Sequence, residues 1–175
     1  MNVRLGMALG VVLATLVLAL DQLSKWVIVS RVMQPPRVIE VTPFFNLVMG
    51  WNRGISFGLF NSGVDWGAWV LTGVALGISG VLAIWMSRTK RVRLVVALAF
   101  VIGGAIGNAV DRVRFGAVAD FLDVHFAGYH WPAFNVADSA ITLGAIILVL
   151  DALFAPKETP TNNDTQGSRG PRASR

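Results

Sequence analysis

The sequence predicts an all-α membrane protein: four transmembrane helices carrying a small external β-sheet. Of its 175 residues, 54% are hydrophobic and only 14% are charged, with a mean hydropathy of +0.62. That is too apolar for one water-soluble core. The apolar residues gather in four runs, each close to the ~20 residues a helix needs to cross roughly 30 Å of hydrocarbon. Most of the basic residues collect beside those runs on one side.

The first span, about residues 5–29, opens with the unbroken run Leu5–Leu20 and continues through DQLSKWVIV. LALDQ is not a small-x-small cleavage site and three further spans follow, so this reads as an uncleaved helix rather than a signal peptide. The other spans are 66–86, 94–110 and 136–154. Four spans put both termini on one side. Arg4, Arg88, Lys90, Arg91, Arg93, Lys157, Arg169, Arg172 and Arg175 fall there, and the positive-inside bias makes that side cytoplasmic. Trp26, Trp51, Trp66 and Trp131 then mark the opposite headgroup level, where amphipathic rings favour the interface.

Segments 30–65 and 111–135 are external. In the first, RVIEVTPFFNLVMGWNRGISFGLF carries β-branched and aromatic runs broken by Pro43 and a turn at NRG, which places the small sheet within 37–60. Residues 1–155 form a single membrane-embedded domain. Residues 156–175, rich in Pro, Ser, Thr, Asn and Gly, cannot bury enough surface to fold and make a disordered cytoplasmic tail. The pairs Gly6/Gly10, Gly73/Gly77 and Gly103/Gly107 have the small-xxx-small spacing that lets helices approach closely in lipid.

Composition also excludes chemistry. Cysteine is absent, which removes disulfides, thiolate metal sites, a cysteine nucleophile and N-terminal lipidation of this chain. The net charge of +5 lies in short loops and the tail, not in a basic stripe interleaved with aromatics, which argues against nucleic acid.

The informative residues are the ionisable ones, each costing roughly 2.5–3.5 kcal/mol at a helix centre in the membrane. Asp21 and Lys25 are four apart, share a helix face and can neutralise one another as a structural pair, with Gln22 and Ser24 beside them. GGAIGNAVDR places Asn108, Asp111 and Arg112 within about a turn, where the arginine fork can hold a carboxylate or carbonyls as scaffold. Asp120 in VADF and Asp138 in NVADSA have no local cation. They are eighteen residues apart, but helix three enters the external face and helix four leaves it, so a returning loop can bring them together. Two juxtaposed carboxyls cannot both ionise cheaply, so one keeps its proton while the other stays an anion, which is the arrangement that activates water in aspartic proteases. That chemistry needs no metal or cofactor, and none is expected.

Other readings of the same residues stay open. Asn135 or Asp138 can serve as the N-cap of helix four. Asp123, His125 and His130 match no compact zinc-ligand spacing. A transporter or channel lined by Asp21, Lys25, Asp120 and Asp138 is a rival reading, weakened by the lack of an internal repeat. A non-enzymatic assembly or lipid-binding protein is another.

DQLSK at 21–25, NRGISFG at 52–58, GGAIGNAVDR at 103–112, VADF at 118–121 and PAFNVADSAI at 132–141 resemble, in order and spacing, the bacterial lipoprotein signal peptidase (signal peptidase II) family. The resemblance covers nearly all of residues 15–155. It implies an intramembrane aspartic endopeptidase of the bacterial inner membrane that cuts prolipoproteins just before their diacylglyceryl-cysteine. The family's catalytic pair carries over to Asp120 and Asp138, and not to Asp111. Asn52 and Gly54 match its external-surface motif, and Asn108, Arg112, Asn135 and Ala137 match positions that line the site. Asp21 and Lys25 match a motif assigned to stability. The resemblance also implies an external β-cradle, a helical arm over the site, an active site near the external face, and partners limited to prolipoprotein and membrane lipid. A monomer is expected.

Overall fold

A computed structural model describes residues 1–54 and 66–154. Helix α1 spans Val3–Val27 and ends in a wide π turn, Ile28–Val32. Strands β1, Ile39–Thr42, and β2, Phe45–Asn52, follow. Helices α2, Trp66–Met86, and α3, Val92–Phe115, lead into β3, Val118–Phe126, and β4, Tyr129–His130. Helix α4, Val136–Phe154, completes the described chain. The expected tail at 156–175 lies outside the described residues, and so do residues 55–65, which include part of NRGISFG. No helical arm occurs among the described residues.

Among the described residues four helices are long and apolar enough to cross a membrane, and α3 is their centre. Of its most apolar window 67% is buried, against 17% in each of the other three. It packs against α1, α2 and α4. The other helices turn Leu5, Leu16, Leu20, Val70, Val81 and Leu153 outward, a belt that suits hydrocarbon, since helices satisfy their backbone internally. With its terminal turn, α1 has 30 residues, about 45 Å at ~1.5 Å per residue.

Close approach depends on which way each glycine faces. A Cβ added at Gly103 would lie 2.6 Å from the Ala14 carbonyl oxygen, and one at Gly104 would lie 2.5 Å from that of Ala137. The backbone of α3 therefore touches those of α1 and α4 directly. Gly10 similarly admits Met86 and Val95. Gly73 and Gly77 share the same spacing, yet nothing among the described residues comes within 4 Å of an added Cβ at either. On α2 the small-xxx-small signal therefore marks no contact within the described chain.

The sheet is antiparallel in the order β1-β2-β3-β4. β1 and β2 come from residues 37–60, but β3, one of the two inner strands, comes from the segment after α3. Register pairs Gly50 with Asp120 and Trp51 with Ala119, beyond an irregularity between Leu47 and Gly50. A second difference concerns α3, expected to end at Val110. Residues 111–115 contain neither glycine nor proline, so the helix continues to Phe115, and Gly116 at φ +69° closes it with its N–H on the Arg112 carbonyl. Asp111 and Arg112 thus stand on the helix, not at the start of an external loop.

Candidate active site

The eighteen-residue interval between Asp120 and Asp138 is closed by a hairpin and a short return. β3 runs outward to Phe126, turns at Ala127 and Gly128, both at positive φ, and comes back through β4. Phe134 then pairs with Leu122: its N–H donates to Leu122 O at 3.0 Å, and its carbonyl accepts from the Leu122 N–H at 2.8 Å. Asn135, the next residue, is fully buried against β3.

Asn135 joins the two carboxyls. Its Nδ2 donates to Asp120 Oδ1 at 2.7 Å and lies 3.3 Å from the Ala119 carbonyl. Its Oδ1 accepts from the Asp138 N–H at 2.9 Å, while its own N–H donates to Asp138 Oδ2 at 3.2 Å. That reciprocal pair is a capping box at the start of α4, with aspartate as its third residue. Asp138 therefore takes part in the cap of α4, and Asn135 links it to Asp120.

The other oxygens of the pair are also held. Asn52 Nδ2 donates to Asp120 Oδ2 at 3.0 Å, and Asn108 Nδ2 donates to Asp138 Oδ1 at 2.7 Å. Asn52 is aimed by an Asx turn, its Oδ1 accepting from the Gly54 N–H at 2.9 Å. Gly54 sits at φ +75°, and a Cβ there would strike Leu71, which explains glycine in the NRG turn. Asp120 is buried while Asp138 is half-buried. Burial pushes the Asp120 carboxyl above the ordinary carboxylate value, and the negative charge of Asp138 adds to the rise. The Asn52 and Asn135 hydrogen bonds oppose it without cancelling it.

Behind the pair lies a buried ionic cluster. Lys25 Nζ is 2.8 Å from Asp21 Oδ2, 2.9 Å from Asp111 Oδ2 and 3.0 Å from Asn108 Oδ1. Asp21 Oδ1 accepts from the Ala137 N–H at 2.9 Å, so α1 helps cap α4, and Asp111 Oδ2 accepts from the Ala119 N–H at 3.2 Å. Gln22 Nε2 bridges Asp111 Oδ1 and the Gly107 carbonyl. An added Cβ at Gly107 would lie 2.6 Å from Asp21 Oδ2, so glycine makes room for the cluster. Deleting one member of such a buried set typically costs about 3–5 kcal/mol. Arg112 Nη1 reaches the Asn108 carbonyl at 3.4 Å, its Nε is buried without a partner among the described residues, and it feels the charges of Asp138, Asp111 and Asp120.

Asp123, His125 and His130 form a separate clip between β2, β3 and β4. Asn46 Nδ2 donates to Asp123 Oδ2 at 2.9 Å, His130 Nδ1 lies 2.8 Å from the same oxygen, and the two imidazoles stack at 4.8 Å. Desolvation raises the Asp123 carboxyl, but the Asn46 and His130 hydrogen bonds outweigh it, leaving the carboxyl below its ordinary value.

From Asp138 a groove of 460 Å³ runs along α4 past Ser139, Thr142, Leu143 and Ile146, with Trp131 and Phe134 at its head. Apart from Asp138 and Trp131, these groove residues are not marked individually in the sequence. Their signal is the 3–4-residue spacing of Asp138, Thr142 and Ile146 on one helix face.

A family model described as Signal peptidase (SPase) II matches residues 13–154. This chain belongs to the signal peptidase II family. A lipoprotein signal peptidase of Rhizorhabdus wittichii is 48% identical over 161 residues, covering 89% of this chain and 93% of that protein. One from Azoarcus sp. is also 48% identical, over 150 residues and 85% of each chain. A solved bacterial membrane enzyme superposes with a TM-score of 0.74 at 28% identity, covering 85% of this chain and 95% of its own. The helices and the outer sheet thus belong to a multi-pass membrane enzyme.

Proposed function

We propose that Asp120 and Asp138 are the catalytic dyad with which this signal peptidase II family member removes signal peptides from diacylglyceryl-modified prolipoproteins, cutting just before the lipidated cysteine. The observation that carries the assignment is Asn135, bonded to both carboxyl groups at once. Asp111, adjacent in sequence to Arg112, is committed to Lys25, Gln22 and the Ala119 N–H and has no such link.

The environments divide the labour. Asp138 accepts two N–H donors, stands at the positive end of α4 and opens onto the groove, so it is the anion that takes a proton from water. Asp120, buried and raised, carries the proton that polarises the scissile carbonyl. Its Oδ2 faces Asn52 at the exposed end of β2, from which that partner can swing aside. As water attacks the carbonyl carbon, Asp138 receives its proton and Asp120 donates to the oxygen. Collapse breaks the C–N bond: the proton on Asp138 goes to the leaving amine, and one hydroxyl of the diol returns its proton to Asp120 as the carbonyl re-forms. The network is complete within one chain, so a monomer suffices for this chemistry.

The apolar wall of the groove suits the substrate's lipid and signal-peptide segment, while water reaches Asp138 from above. The basic Arg88–Arg93 segment between α2 and α3 supports a cytoplasmic location for both termini in the bacterial inner membrane, with the dyad at the opposite face.

The test uses purified protein. Asp120→Asn and Asp138→Asn should each retain a cooperative thermal transition and lose cleavage of a diacylglyceryl prolipoprotein by about 10³-fold or more. Cleavage at the native rate by either one refutes the dyad. An unlipidated precursor should be turned over far more slowly than its lipidated form. Equal rates would remove the lipid handle and leave the protease assignment intact.

A further inference from the structure

Three asparagines donate into the dyad, and each has its own oxygen committed elsewhere. Asn52 Oδ1 accepts from the Gly54 N–H, Asn135 Oδ1 from the Asp138 N–H, and Asn108 Oδ1 from Lys25 Nζ. A carboxamide turned over by 180° exchanges donor for acceptor with almost no change of shape, so a donor fixed on its oxygen decides which end faces a neighbour. For Asn52 and Asn135 that donor is local backbone. For Asn108 it is a side chain from another helix.

We propose that Lys25 is a positioning residue for the cleavage reaction: by holding Asn108 Oδ1 at 3.0 Å it keeps Nδ2 directed at Asp138 Oδ1, 2.7 Å away. This rests on the dyad reading above. Charge balance alone does not call for the contact. Lys25 is bracketed by Asp21 and Asp111, yet its third N–H is spent on a neutral amide. All three ammonium donors are thereby used. Asn135 Nδ2 adds a longer contact of 3.3 Å to the same oxygen, tying the second asparagine to the first.

Without Lys25 the Asn108 amide can present Oδ1 to Asp138. Acceptor then faces acceptor, and the pair is relieved only when Asp138 takes up a proton and ceases to be a base. The other charged groups facing this point are Arg112 on α3 and Asp120 on β3, with Asp21 and Asp111 behind Asn108.

The experiment compares Lys25→Met with the charge-balanced Lys25→Met/Asp111→Asn, both purified and checked for a cooperative thermal transition. Cleavage of a diacylglyceryl prolipoprotein is followed across pH. Both variants should lose kcat by roughly 10²-fold with KM little changed, and the acid limb of the profile should move to higher pH. In an Asn108→Ala background, adding the Lys25→Met/Asp111→Asn pair should cost no more than about twofold further, since the group that Lys25 orients is gone. A folded charge-balanced variant with native kcat and native acid limb overturns the proposal and leaves Lys25 a counter-ion, as do fully additive losses with Asn108→Ala. Because the single change can unfold the ionic cluster, the balanced variant decides that case. Asp138→Asn is assayed in parallel: if it is active, the dyad reading has failed; if it is inactive and Lys25 is silent, only the positioning role has.

Discussion

Asn52 is the exposed member of the network, and this makes it the cleanest probe of proton placement. Its hydrogen bond to Asp120 Oδ2 favours the ionised carboxyl. Removing the bond lets Asp120 keep its proton to higher pH. If Asp120 is the acid, Asn52→Leu should therefore move the basic limb of the pH–rate profile upward, with kcat reduced by about 10-fold or less. An upward move of the acid limb instead would make Asp120 the base and assign the proton to the other aspartate. The two aspartates are legible in the sequence as carboxylates without a nearby cation, and their assignment as the catalytic pair enters only through the family resemblance. Their division of labour is not legible there, since it depends on which one the sheet buries and which one the groove exposes.

Among the elements, α3 carries the strongest constraint, because its glycines touch the backbones of two other helices. Gly103→Ala should lower stability by about 1–3 kcal/mol, through overpacking against Ala14. Gly73→Ala on α2, where no described residue comes within 4 Å of an added Cβ, should change stability by no more than about 0.5 kcal/mol. Thermal unfolding in one detergent compares the two directly. Spacing alone did not separate these pairs, because α2 is apolar all round and its rotation is set by packing. The strand β3 was hidden for a related reason. Val118, Ala119, Asp120 and Phe121 are all buried, so the alternation that marks a half-exposed strand is missing from its first half and begins only at Leu122. The extension of α3 past Val110 is not legible in the sequence, because charged residues at the end of a span look the same whether the helix stops there or continues into the interface.

For the whole molecule, the absence of cysteine makes every introduced thiol unique. Ser87 follows α2 at the cytoplasmic turn of the proposed topology, and Tyr129 is an exposed residue of the outer hairpin. A membrane-impermeant maleimide applied to intact spheroplasts should label Tyr129→Cys, and should label Ser87→Cys only after permeabilisation. The reverse pattern would invert the protein and put the dyad on the cytoplasmic side. The spans themselves were legible because membrane crossing is a demand on length and composition, which a sequence displays without any knowledge of contacts.

The first turn of α4 sets durability against turnover. In a capping box the preferred third residue is glutamate, whereas here the position is aspartate and its other oxygen faces Asn108. Asp138→Glu should give a helix start at least as firm, with an unchanged or higher melting temperature. The added methylene would carry the carboxyl away from its post and lower cleavage by about 10²-fold. Selection for a sturdier protein and selection for a faster one therefore pull this residue in opposite directions.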